Sequence, residues 1–149
     1  MATLFSLGSM FKDKYMEEKT NEKLANLLKT NLLPLAFIGD SVHTLYVREH
    51  CLNNPNYKME NYHIRASKYC KASSQAKVLS LILDKLTSEE KEIVRRGRNA
   101  KSKHQAKNAT SADYAHATAF EILIGYLYLS KNQQRLREIL DLSISLLAN

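Results

Sequence analysis

Two acidic residues stand where an apolar helix should have none. Asp40 lies within LAFIGDSV (Leu35 to Val42), and Glu121 within FEILIGYLYL (Phe120 to Leu129). An ionised carboxylate inside a folded core costs several kcal/mol unless it is paired or holds a cation. Two brought together cost more, because like charges oppose joint ionisation. A divalent cation between them reverses the sign. Magnesium takes hard oxygen ligands, commonly one or two carboxylates, with water and substrate phosphate completing its shell. So held, it can activate water and stabilise charge on a phosphoryl group. Gly39 beside Asp40, and Gly125 one turn after Glu121, would let two helices approach closely. The plainer alternatives are a helix edge for either acid, or pairing with Arg48 or Arg65. The residues by themselves leave these open.

The elements that must carry the acids read as helices. A chain of 149 residues suggests one domain with room for a core. Four Gly and two Pro are too few for the regular turns of an all-β domain, so the class is all-α, with about seven helices. Leu24, Leu27 and Leu28 share a helical face within 12–29. Asn31 to Pro34 is a break, with Asn31 or a neighbour near the next cap. A helix follows from Pro34 to Cys51, its inner stripe formed by Leu35, Ile38, Val42, Leu45, Tyr46 and either Glu49 or Cys51. Asn53 to Asn56 is a stop. Residues 58–70 are helical, and Ser73 or Ser74 is expected to cap AKVLSLILDKL. Thr87 to Glu90 has capping-box spacing and starts a helix that runs into Arg95. Gly97 to Asn108 lacks apolar periodicity and reads as an exposed basic loop. Thr110 or Ser111 caps a helix reaching Ser130. It is apolar on all sides from Phe120 onward, apart from Glu121 and Gly125, so it belongs at the centre of the core. Lys131-Asn132 is a turn, and Gln134 to Leu147 is a final amphipathic helix.

The charge is concentrated. The chain carries +7, and Lys91 to Lys107 alone holds seven basic residues and one acid, net +6, which leaves +1 elsewhere. One dense positive segment points to a polyanion. Cys51 and Cys70 lack metal or redox spacing and read as reduced thiols of a cytoplasmic, soluble protein. The N-terminus lacks a signal-peptide pattern, and no apolar run is long enough for a membrane span. His43, His50, His63, His104 and His116 have no ligand spacing. His104 could touch phosphate, and His116 reads as structural. Tyr114, Tyr126 and Tyr128 read as core.

FIGDSV resembles the ribonuclease III signature E-x-x-E-F-L-G-D-S-V. FEILIGYLYLS resembles that family's second acidic motif, D-x-x-E-A-x-x-G-A-x-Y-L-D. RRGRNAK and TAFEILIGYLYL look specifically like the short bacterial branch, Mini-ribonuclease III. The resemblance covers roughly residues 15–147, with the order and spacing of the motifs kept. It implies a ribonuclease III-type helical endonuclease domain over 1–149, without a double-stranded-RNA-binding domain, working as a homodimer. It implies Mg²⁺-dependent cleavage of double-stranded RNA, with Mn²⁺ as a possible substitute, leaving 5′-phosphate and 3′-hydroxyl ends. Asp40 and Glu121 would be both the catalytic residues and the metal ligands. The expected task is maturation of ribosomal RNA precursors at large-subunit ends, with a ribosomal protein or assembling subunit as a possible partner. The helix of Asp40 would form the dimer, with Phe37 and Val42 contributing.

The chain departs from the pattern at three acidic positions, which are Leu33, Ala36 and Thr118 here. Only Asp40 and Glu121 remain, so more of the metal shell must come from water and RNA. Arg95, Arg96, Arg98, Asn99, Lys101, Lys103 and Lys107 form the expected RNA-binding arm, suited to shape-directed phosphate contact. Gln75 and Lys71 are weaker candidates for lining the RNA valley. The competing reading is an inert RNA-binding or ribosome-associated module on the same fold, and retention of both acids argues against it. A helix-turn-helix DNA-binding protein lacks support, since the basic segment supplies no recognition helix.

Overall fold

The structure is a computed structural model that describes residues 14–100 and 110–148. Among the described residues there are seven α-helices and one short 3₁₀ turn: α1 (Lys14–Thr30), α2 (Leu33–Cys51), α3 (Met59–Cys70), α4 (Ala72–Ile82), the turn Leu83–Lys85, α5 (Ser88–Arg98), α6 (Ser111–Leu129) and α7 (Gln133–Ser145). The all-α expectation holds.

Helix α6 runs through the middle, with α2, α4 and α5 packed around it. Phe120, Ile122, Leu123 and Ile124 are fully buried, as a helix apolar on all sides requires. Phe120, Leu123 and Ile124 share a cluster with Leu79 and Ile82 of α4 and Leu136, Ile139 and Leu140 of α7, while Ile122 packs with Leu35 and Ala36 of α2 and Ile93 of α5. The start of α6 is fixed by Thr110, whose hydroxyl accepts from the Asp113 amide at 3.0 Å. The capping box of α5 forms as its spacing predicts. Thr87 Oγ1 accepts from the Glu90 amide at 3.1 Å, and Glu90 Oε2 accepts from the Thr87 amide at 2.9 Å. Glu90 is buried and also takes the Arg135 guanidinium at 2.8 Å, which ties α5 to α7. Burial pushes the Glu90 carboxyl up, but the bonds from Arg135 and Thr87 outweigh it and hold the group below its ordinary value. Lys131 adopts φ 59° in the turn between α6 and α7, where the sequence places one.

Several expectations are corrected. Gly97 is not the start of a loop. It lies inside α5 and is buried, because its bare Cα packs on α6: a Cβ there would sit 3.1 Å from Ala119 Cα and 3.2 Å from Ile122 Cδ1. Arg95, Arg96 and Arg98 therefore belong to the last turn of α5, with Asn99 as its C-cap. Lys101, Lys103, His104 and Lys107 lie outside the described residues. Neither Ser73 nor Ser74 caps α4, whose N-cap position is Lys71, without a side-chain cap. The Ser74 hydroxyl turns back to the Lys68 carbonyl at 2.6 Å. Leu45 is 41% exposed and does not join the inner stripe of α2, and Tyr128 is exposed too. Val42 is buried in the core and cannot line an interface, whereas Phe37 is 77% exposed. Among the described residues no helix is long and apolar enough to cross a membrane.

Candidate active site

The crossing of α2 over α6 is made by two glycines. An ideal Cβ on Gly39 would lie 1.7 Å from the Glu121 carbonyl oxygen, and one on Gly125 would lie 2.0 Å from the Leu35 carbonyl oxygen. Two main chains therefore touch where any side chain would hold them apart. Asp40 follows Gly39 directly, and Glu121 is the residue that Gly39 meets, so the crossing sets the two acids side by side. The close approach expected from Gly39 and Gly125 is what brings the motifs together.

Asp40 is exposed, which corrects the reading of a carboxylate buried in a core helix. It sits at a helix edge, and Thr44 Oγ1 donates to its Oδ1 at 3.4 Å from the next turn. Glu121 is the half-buried member. Burial pushes its carboxyl up to about 7, the Asp40 charge adds to this, and a hydrogen bond from Gln75 opposes it. Among the described residues neither acid is ion-paired. Arg65 instead lies over the Tyr57 ring, 4.4 Å from its centroid.

Behind the acids lies a buried polar pair. Gln75 and His43 are almost wholly enclosed, and Gln75 Nε2 lies 3.2 Å from His43 Nδ1. The His43 ring meets Phe120 edge-on at 5.0 Å between centroids. Burial pushes its pKa down to about 4, so the ring is neutral near pH 7. The amide nitrogen of Gln75 faces Nδ1, and the other ring nitrogen, Nε2, has no hydrogen-bond partner. Gln75 thus reaches both His43 and Glu121, and its place is fixed from behind. The sequence marks Gln75 only as a possible valley liner and gives His43 no role. An isolated amide and an isolated imidazole at helical spacing carry no pattern that singles them out.

The Cys70 thiol ends α3 in the same neighbourhood. Burial pushes it up to about 11, a hydrogen bond with Thr44 opposes this, and the Asp40 charge adds to it. Cys51 and Cys70 are both free.

The donor set fits magnesium. Among the described residues no group of three or more His, Cys, Asp or Glu could cage a metal, which disfavours a closed zinc-type site. Two adjacent carboxylates without a cationic partner match the one or two protein ligands that magnesium uses when water and phosphate fill the rest.

Of the expected RNA-binding residues, Arg95, Arg96, Arg98 and Asn99 are described, at the C-terminal end of α5. Arg95 is held by Glu92 at 2.7 Å, and Arg96 Nη2 donates to the Leu28 carbonyl. Arg98 and Asn99 are exposed at the end of α5. Gly97 packs on Ala119, while Gly39 packs on Glu121. A step of two residues turns an α-helix by about 200°, so α5 and α2 lie on different sides of α6.

Comparison with known proteins bears on this arrangement. A family model described as Ribonuclease III domain matches residues 33–132, which include both acids. A Mini-ribonuclease 3 of Brevibacillus brevis is 48% identical over 112 residues, 75% of this chain and 84% of the relative. One of a Thermoanaerobacter species is 44% identical over 81% of this chain and 85% of its own length. A crystal structure of a Fusobacterium nucleatum protein superposes with a TM-score of 0.70 at 29% identity, covering 76% of this chain and 91% of that one. The helical fold, the paired acids and these matches together make the chain a member of the ribonuclease III family, in its Mini-ribonuclease 3 branch, and an endoribonuclease.

Proposed function

We propose that the chain hydrolyses phosphodiester bonds of double-stranded RNA with Mg²⁺, which Mn²⁺ can replace, held by Asp40 and Glu121. The observation that carries this reading is the glycine crossing, which puts two carboxylates side by side without a counter-cation. When bound, the ion supplies Lewis-acid stabilisation of phosphoryl charge and an activated water. The chain supplies the rest. Glu121 and Asp40 position the ion, Gln75 orients the Glu121 carboxyl, and neutral His43 holds Gln75 in place. Three family acids are replaced by Leu33, Ala36 and Thr118, so binding of the ion depends strongly on the RNA phosphate that completes its shell.

The working unit in this reading is a homodimer of one-domain subunits spanning 1–149. Phe37 is 77% exposed, and Leu45, Leu52 and Met59 are exposed on the same two helices and the turn between them. An apolar cavity of about 250 Å³ lies between Leu45, Leu52, Met59 and Ala66. Exposed apolar surface of this kind favours association. Arg95, Arg96, Arg98, Asn99, Lys101, Lys103 and Lys107 would contact the phosphates of the RNA. The natural substrate in this reading is a ribosomal RNA precursor processed in the cytoplasm, alone or on an assembling subunit.

The test compares the parent protein with Asp40→Asn and Glu121→Gln on a fully paired RNA duplex with Mg²⁺. Loss of cleavage in both variants, with RNA binding kept, supports the assignment. Equal cleavage by parent and Asp40→Asn would sink it. Binding without cleavage by the parent would favour the inert module.

A further inference from the structure

Asp40 and Glu121 are held by different means. Glu121 is half-buried with Gln75 behind it, whereas Asp40 is exposed on α2. An exposed carboxylate on a helix moves between rotamers unless a neighbour fixes it. The neighbours a helix offers stand three and four residues away. For Asp40 they are Ala36, Phe37, His43 and Thr44. Ala36 and Phe37 carry no polar side-chain atom. The His43 ring is buried and turned to Gln75, 3.2 Å away. Thr44 is what remains, and its Oγ1 donates to Asp40 Oδ1 at 3.4 Å.

That direction is a departure from the usual choice of a helical threonine. Such a hydroxyl commonly turns back to the carbonyl four residues earlier. Thr30 does so to Asn26 at 2.8 Å, and Thr118 does so to Tyr114 at 2.9 Å. Thr44 instead gives its one proton to the side chain four residues earlier. Thr118 is closer in sequence to Glu121, yet its proton is committed to the main chain.

The chemistry of the donor decides what the bond can do. A cationic side chain at this place would orient Asp40 but cancel the charge that attracts a metal ion. A hydroxyl orients the carboxylate and leaves the charge. It takes up Oδ1 and leaves Oδ2 free for an ion. Ala36 supplies no oxygen one turn before Asp40, so the site depends on two carboxylates and on how each is aimed. Partners behind a metal ligand set that aim.

We propose that Thr44 is a positioning residue for Asp40, its hydroxyl holding Oδ1 so that Oδ2 is left to the metal ion. The proposal rests on the reading of Asp40 and Glu121 as the ion's ligands. Thr44 acts through Asp40 and itself binds neither ion nor RNA.

The experiment compares the parent with Thr44→Val, which removes the hydroxyl and keeps the branched shape, and Thr44→Ser, which keeps the hydroxyl. Mn²⁺ binding to the RNA-free chain is read from the EPR signal of the free ion. Cleavage of a fully paired RNA duplex is then followed across a Mg²⁺ series. Thr44→Val is expected to bind Mn²⁺ roughly tenfold more weakly and to need roughly tenfold more Mg²⁺, the low end for loss of a partner behind a metal ligand. Excess Mg²⁺ restores its kcat, while KM for RNA and the urea midpoint stay near the parent values. Thr44→Ser tracks the parent in every measurement. Parent-like Mn²⁺ binding by Thr44→Val overturns the proposal, as does a Thr44→Ser variant equally impaired. A loss of kcat that excess Mg²⁺ does not restore overturns it too. A parent that binds Mn²⁺ no better than an Asp40→Asn, Glu121→Gln double variant overturns the ion reading itself, and the role of Thr44 with it.

Discussion

Replacing Gly39 with alanine adds one methyl group at the α2–α6 crossing. That methyl would stand 1.7 Å from the Glu121 carbonyl oxygen, 2.6 Å from its carbonyl carbon and 2.9 Å from the Gly125 amide nitrogen. A carbon and an oxygen in close contact sit about 3.3 Å apart, so the two helices must separate by about 1.5 Å. All three obstacles are main chain and cannot rotate aside. Overpacking costs about 1–3 kcal/mol where neighbours can adjust, and here they cannot. The expected destabilisation is about 3 kcal/mol or more, a large part of the roughly 5–15 kcal/mol that holds a domain together. Gly97→Ala is the internal comparison. Its methyl would meet Ala119 Cα at 3.1 Å and the flexible end of Ile122 at 3.2 Å, and helix propensity returns about 1 kcal/mol. It should be neutral to within about 1 kcal/mol. Urea unfolding at equal slope gives both numbers. Cleavage by Gly39→Ala, measured where it is still folded, should fall much further than its folded fraction, because the acids move apart. A Gly39→Ala midpoint equal to that of Gly97→Ala would refute the claim that main-chain contact sets the site.

Three further outcomes follow from the same geometry. The Glu121 carboxyl stands at about 7 against an ordinary 4.5, so without divalent metal the folded chain keeps a proton that the unfolded chain has released. Stability is then full below about pH 4.5 and falls as pH rises through about 7, by on the order of 2 kcal/mol after discounting for partial solvation. Glu121→Gln removes this dependence, and parallel urea midpoints for parent and variant in EDTA would contradict it. Gln75→Leu removes the donor shared by Glu121 and His43, and a Mg²⁺ titration of cleavage should show a requirement raised by roughly tenfold or more, with RNA affinity unchanged. Phe37→Glu places a charge on the exposed apolar face and should leave a monomer by sedimentation; a variant that sediments like the parent would remove Phe37 from the interface.

Much of the fold is legible in the sequence because apolar periodicity and caps report local physics. Thr87 and Glu90 form the box their spacing promises, and the run from Phe120 is central because every face of it is apolar. What is missed depends on neighbours distant in sequence. Gly97 looks like a breaker in a polar, basic stretch, yet it is helical because it is the residue that fits against Ala119. Ser74 looks like a cap, but its hydroxyl bonds the Lys68 carbonyl. Asp40 looks buried because Phe37 and Leu45 surround it with apolar letters, although both face outward with it. The acid pair itself is readable from Gly39 and Gly125. The polar support behind it is not, since Gln75 and His43 come from separate helices and meet only after α4 packs on α6.

If the acids hold the proposed ion, the glycine crossing also limits how the site's metal preference can be altered. Side chains elsewhere in the core can be exchanged, at a cost in stability, without changing the separation of the two backbones that carry the acids. The spacing is written in main-chain atoms, so ordinary substitution does not tune it gradually. What remains adjustable is the reach of each acid, one methylene at a time, through Asp40→Glu or Glu121→Asp. Selection and design thus work on this ion in coarse steps, with a fixed span beneath a variable arm.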